Sequence, residues 1–212
     1  MVDGQEWFDD KLGTCPAMVI LRGYSAQDTL RLANRAWDLG ISLVEIPIQT
    51  ETAVATLAAV AQAGRDRAAA VGAGTVLSSA QVAIAREAGA AFTVSPGYDP
   101  DVTAASLAAG LPSLPGVATA TDVQQALRSG HRWVKAFPAS LLGEGWFAAM
   151  RGPFPQVSFV ATGGIGAGNA RHFVDAGAAA VAFGSAIEDP AQLGQLVASL
   201  APRMSDRAGH EP

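Results

Sequence analysis

HRWVKAFPAS, residues 131–140, sets one lysine inside a short apolar run and follows it at once with a proline turn. Read as a strand from Trp133 to Phe137, its period-two alternation puts Trp133, Lys135 and Phe137 on one face and Val134 and Ala136 on the other. Lys135 is then a lysine on a buried strand. Desolvating an ammonium is costly, so an amine in such a place tends to give up its proton, and neutral amine is the form that attacks carbonyls. The plainer alternative is a strand-end lysine that reaches out to solvent. The ends of the other strands have to decide between the two.

Outward from this run the chain repeats one pattern. Pro16 opens AMVILRG, a strand ending at Arg22, and Ser25 to Leu39 follows as a helix stopped by Gly40. ISLVEIPIQ is a strand ending near Glu45 to Gln49, followed by the helix Thr52 to Ala63. Strand Ala69 to Thr75 precedes helix Ser78 to Ala88, with Ser78 and Ser79 as caps; Phe92 to Pro96 precedes Asp99 to Ala109; Leu111 to Gly116 precedes Thr121 to Ser129. The Lys135 strand leads to a helix around Leu141 to Met150, Val157 to Thr162 to Gly168–Ala176, and Ala179 to Gly184 to Pro190–Leu200. A short amphipathic helix with Trp7, Phe8 and Leu12 occupies the N-terminal segment 1–15, and the polar tail 203–212 is expected to fray.

Eight βα units in succession specify an α/β protein built as a closed (β/α)8 TIM barrel with an extra N-terminal helix, in a single domain over 1–212. The notable residues at the strand ends, Arg22, Glu45, Thr75, Pro96, Gly116, Lys135, Thr162 and Ser185, are spaced by one helix plus one strand each. An open doubly wound sheet is the rival, but it gathers its chemistry at one switch point, not at the ends of most strands.

Composition narrows the class. Half of the 212 residues are hydrophobic and 16% are charged, which suits a buried core and not disorder. No apolar run reaches the length of a membrane span, and the acidic start MVDGQEWFDDKL is unlike a signal peptide, so a soluble, cytoplasmic protein is expected. The net charge of -5 disfavours nucleic acid and anionic membrane as partners, while leaving room for a locally basic pocket that takes a small phosphorylated metabolite. Cys15 stands alone, and His131, His172 and His210 show no ligand spacing, so no metal site is expected.

In a (β/α)8 barrel all strand C-termini open on one face. There Glu45, sharing an inward face with Leu43 and Pro47, is either an ion-pair partner for Lys135 or Arg22, or a general acid/base; both can hold at different stages. The glycine-rich ends ATGGIGAGN (161–169) and AFGSAI (182–187) fall after strands seven and eight, where barrels often bind phosphate through backbone N–H groups. Thr75 in GAGTVL offers a hydroxyl or a turn. Pro96 and Phe137 are either pocket walls or packing.

VEIPIQT with Glu45, GAGTVL with Thr75, FTVSPG, LPGVATATD, VKAFPAS with Lys135, TGGI and FGS, in this order over about Pro16 to Leu200, resemble the 2-keto-3-deoxy-6-phosphogluconate aldolases, or KDPG/KHG aldolases. The resemblance implies a class I aldolase without metal or other cofactor, usually a homotrimer, that yields pyruvate and glyceraldehyde 3-phosphate. By motif it implies Lys135 as the Schiff-base lysine, Glu45 as acid/base, Thr75 as a contact to the pyruvate carboxylate and Thr162 as a stereochemical determinant. Gly163, Gly164, Gly184 and Ser185 would hold phosphate. Two departures matter. Many gluconate-type members carry arginine where this chain has Gln49, and the ILRG run instead resembles the galactonate-epimer branch, in which the arginine of that run contacts substrate. Arg22 would then supply the missing cation beside Gln49. Thr162 leans to the gluconate type, so the C4 preference stays open, as does the choice between phosphorylated acids and 4-hydroxy-2-oxoglutarate. A phosphosugar isomerase using Glu45 as base, and a non-catalytic phosphometabolite-binding barrel, are the other readings.

Overall fold

The order of strand pairing closes the sheet on itself. The computed structural model describes residues 4–208, the side chains beyond residue 200 excepted. Its strands are β1 (Ala17–Ile20), β2 (Leu43–Pro47), β3 (Ala70–Gly74), β4 (Thr93–Val94), β5 (Ser113–Leu114), β6 (Gly116–Val117), β7 (Trp133–Ala136), β8 (Ser158–Thr162) and β9 (Ala180–Phe183). They pair, all in parallel, in the order β5-β4-β3-β2-β1-β9-β8-β7-β6. The two outermost segments, β5 and β6, are neighbours in sequence, separated by Pro115 alone. The result is a nearly closed (β/α)8 barrel whose fifth strand comes in two pieces.

That split is a correction to the single strand expected over Leu111 to Gly116, and its cause is local. Proline has no N–H to give the ladder. Gly116 also runs so close to the β4 end that a Cβ there would lie 2.1 Å from the Pro96 carbonyl oxygen. The first piece therefore pairs with β4 and the second with β7, with Gly116 opposite Lys135, and the Lys135 N–H reaches the Pro115 carbonyl at 2.8 Å.

Around the barrel lie α1 (Gly4–Thr14), α2 (Ala26–Asp38), α3 (Glu51–Arg65), α4 (Ser79–Glu87), α5 (Pro100–Ala108), α6 (Ala120–Arg128), α7 (Ala139–Leu142), α8 (Glu144–Arg151), α9 (Ala170–Asp175) and α10 (Pro190–Ala208). The side chains of Ser25, Thr50, Ser78, Asp99 and Thr119 accept backbone N–H groups at the starts of α2 to α6. Each such cap contributes about 1 kcal/mol and fixes where its helix leaves the barrel mouth. Ser78 is thus a cap, whereas Ser79 is already helical. The helix expected around Leu141 to Met150 is two helices, because Gly143 turns the chain at φ 76°. The closing helix expected over Pro190 to Leu200 is longer, its backbone continuing to Ala208, and residues 209–212 of the tail lie outside the described residues.

Side chains alternate as the strand periodicity requires. Met18, Leu43, Leu114, Trp133, Val160 and Ala182 point into the barrel, while Val19, Val44, Ile46, Val134 and Ala136 pack outward against the helices. Helix α1 closes the floor. Phe8 and Leu12 enter the inner core beside Trp133, and the Gln5 side-chain oxygen accepts the N–H groups of Arg132 and Trp133 at 2.6 and 2.8 Å. Asp9 accepts the Trp133 indole N–H at 2.8 Å, which fixes Trp133 below Lys135 as core. Two ionisable groups are shut into this framework. Burial pushes the Cys15 thiol up to about 11 and keeps the buried His131 ring below its usual range.

Candidate active site

Lys135 points inward from β7 one step above Trp133, and its side chain is 5% exposed. On β2 the same alternation turns Glu45 inward, where its side chain has no exposure at all. Nζ of Lys135 lies 3.6 Å from Oε1 of Glu45, beyond hydrogen-bond range, and neither carboxylate oxygen has another hydrogen-bond partner among the described residues. Buried polar groups are normally satisfied, so a buried carboxylate whose one charged neighbour is this amine can serve as its ion-pair partner, as a proton-transfer group, or as each at a different stage. Room for it comes from β3: a Cβ on Gly74 would lie 2.2 Å from Glu45 Oε1. The glycine of GAGT, immediately before Thr75, is therefore part of the site.

Above Lys135 opens a cavity of about 740 Å³. Arg22, Lys135, Phe137 and Thr162 line one part of it. The glycine-rich ends of β8 and β9, with Gly163, Gly164, Gly184 and Ser185, line the other. The Phe137 ring lies over the amine, 5.5 Å from Nζ to centroid, and packs against Gly163, whose added Cβ would meet it at 3.2 Å. The two runs far apart in sequence thus form one wall.

Not every expected residue lines this cavity. Glu45 lies behind Lys135. Pro96 sits against Gly116 across the barrel and is not on the cavity wall. Gln49 and Thr75 are engaged by Arg22: Nη1 donates to the Gln49 side-chain oxygen, and Nη2 to the Thr75 hydroxyl at 3.2 Å. Arg22 is therefore held between the ends of β2 and β3 by the two polar side chains that follow those strands. Thr75 has φ 57°, a left-handed conformation rare for a β-branched residue and costing on the order of 1–3 kcal/mol, of the kind found at functional positions.

Tyr24 and Gln192 of the cavity carried no role in the sequence, and Asn169 carried one only as the end of the run ATGGIGAGN. Tyr24 donates its hydroxyl to Glu188 at 2.5 Å, and burial together with that carboxylate pushes the phenol up to about 12. Gln192 enters from α10, and Asn169 closes the β8 loop. Tyr24 and Asn169 did signal themselves by position, following the strand ends after Arg22 and TGGI. Among the described residues no helix is long and apolar enough to cross a membrane, and no group of three His, Cys, Asp or Glu side chains is placed to hold a metal.

Comparison with known proteins agrees with this geometry. Residues 8–196 match the family described as KDPG and KHG aldolase. A 2-dehydro-3-deoxy-phosphogluconate aldolase of Treponema pallidum is 41% identical over 149 residues, 70% of each chain. A 2-dehydro-3-deoxy-6-phosphogalactonate aldolase of Escherichia coli is 32% identical over 80% of this chain and 83% of its own. The crystal structure of KDPG aldolase from Legionella pneumophila, with pyruvate captured as a covalent carbinolamine, superposes with a TM-score of 0.78 at 27% identity, covering 92% of this chain and 95% of that one. With most of its length matched to that family, and an inward lysine and carboxylate paired in a barrel of the same fold, the chain belongs to the KDPG and KHG aldolases.

Proposed function

We propose that this protein is a class I aldolase that cleaves 2-keto-3-deoxy-6-phosphogluconate, or its C4 epimer, to pyruvate and glyceraldehyde 3-phosphate through a Schiff base on Lys135. The observation that carries the proposal is the buried amine 3.6 Å from a carboxylate without a donor, at the floor of a cavity whose far wall is glycine-rich backbone. The carbinolamine seen in the Legionella enzyme supports the covalent route.

Neutral Lys135 adds to the C2 ketone, the oxygen takes a proton, and loss of water leaves an iminium. Glu45, directly or through a water, takes the proton of the C4 hydroxyl. The C3–C4 electrons move into the iminium, the aldehyde departs, and an enamine remains. Protonated Glu45 returns its proton to C3, and hydrolysis of the pyruvate iminium frees the amine. Arg22, held by Gln49 and Thr75, faces the substrate carboxylate, and Thr162 and Phe137 pack about the reacting carbons. The phosphate lies against Gly163, Gly164, Gly184 and Ser185, so that binding energy remote from the breaking bond orients it. The same proposal includes a cytoplasmic homotrimer.

The test is pyruvate release from the two C4 epimers and from 4-hydroxy-2-oxoglutarate in excess chelator. At least one phosphorylated epimer should be cleaved at full rate. A loss restored by a divalent ion, or cleavage of 4-hydroxy-2-oxoglutarate alone, would overturn the proposal.

A further inference from the structure

Asn169 stands at the start of α9, in the position where an asparagine ordinarily caps its helix by accepting an N–H from the first turn. It makes no such bond. Its side chain turns back over the glycine-rich loop instead: Nδ2 donates to the Gly164 carbonyl at 2.8 Å, and Oδ1 accepts the Gly166 N–H at 2.9 Å. One residue earlier in the loop, the Ser140 N–H takes the Gly163 carbonyl at 3.0 Å. Both carbonyls are thus held by partners outside the bend. A peptide unit is planar, with C=O and N–H antiparallel, so pinning the carbonyls of Gly163 and Gly164 aims the N–H groups of Gly164 and Ile165 the opposite way. Gly163 and Gly164 have φ values of 97° and 73°, and successive amides in such a bend form a concavity that receives an anion. Among the described residues lining the cavity, Arg22 and Lys135 are the cations, and the amine is committed to the keto carbon. An anion at the glycine-rich end therefore depends on the loop's shape.

We infer that Asn169 is a positioning residue for the phosphate end of the site: it does not act on the substrate, but holds the peptide units of Gly164 and Ile165 in the orientation that binds the phosphoryl group. The inference rests on the proposed phosphorylated substrate, and the experiment separates the two. Inorganic phosphate is titrated into the intact protein and followed by its amide resonances, and pyruvate is trapped on the same samples with borohydride. Asn169→Ala removes both side-chain bonds. Asn169→Ser keeps a helix cap but cannot span the loop, and serves if the alanine variant does not fold. Phosphate affinity should fall about tenfold or more in either variant, while the yield of trapped pyruvate stays within about twofold of the parent. Unchanged phosphate affinity, a parent that binds no phosphate, or a parallel loss of both readouts would overturn the role assigned to Asn169. A parent that binds phosphate but traps no pyruvate would instead remove the aldolase reading, and the titration alone would then decide for or against Asn169.

Discussion

Lys135→Ala is expected to lower kcat/KM by roughly four orders of magnitude or more, because no other described amine reaches the cavity floor to form the covalent intermediate. The same substitution should destabilise the fold by about 3 kcal/mol, since it leaves Glu45 buried without its counter-charge. The two effects separate in a double variant. Lys135→Met with Glu45→Leu removes both charges from the barrel and fills the space, so thermal stability should return to the parent's level or above while activity stays absent. A Lys135→Ala protein that turns over at even a tenth of the parent rate would leave the amine without a chemical role. A double variant less stable than Lys135→Ala would mean that the pair is there for the fold.

Gly74→Ala should have the second largest effect, although residue 74 touches no substrate. Its backbone is not left-handed, so alanine carries no conformational penalty; the obstacle is space. The new methyl would lie 2.2 Å from Oε1, 2.5 Å from Cγ and 2.7 Å from Cδ of Glu45, and something must move. Overpacking of this kind costs about 1–3 kcal/mol. Displacing the carboxylate by about 1 Å from its working distance to Lys135 should lower kcat/KM roughly 100-fold. Shortening the acid relieves the clash, so Glu45→Asp in the Gly74→Ala background should raise the melting temperature above that of Gly74→Ala alone. Wild-type kinetics in Gly74→Ala would show that Glu45 does not work from the position seen here.

Much of this architecture is legible in the sequence. The barrel followed from apolar runs and helix stops alternating at even spacing, and the inward faces of β2 and β7 followed from strand periodicity alone, which is why Glu45 and Lys135 meet where expected. What was not readable depends on contacts between distant segments. Pro115 could be seen in the sequence, but that it divides a strand between two partners depends on where β4 and β7 lie. The amphipathic N-terminal helix was evident, whereas its use as a floor rests on Gln5 and Asp9 meeting Trp133, more than 120 residues away. Arg22 was suspected of standing in for an arginine at Gln49; its bonds to Gln49 and Thr75 needed three strand ends to converge. Asn169 is legible in the sequence only as the end of the glycine-rich run ATGGIGAGN, because a cap and a loop clamp are the same residue in the same place until the direction of the side chain is known.

The most direct measurement is borohydride reduction in the presence of pyruvate, followed by peptide mass analysis. One pyruvate-derived unit per chain, located on Lys135 and absent without pyruvate, is the predicted result. A fully active protein in which Lys135 is recovered unmodified would contradict it.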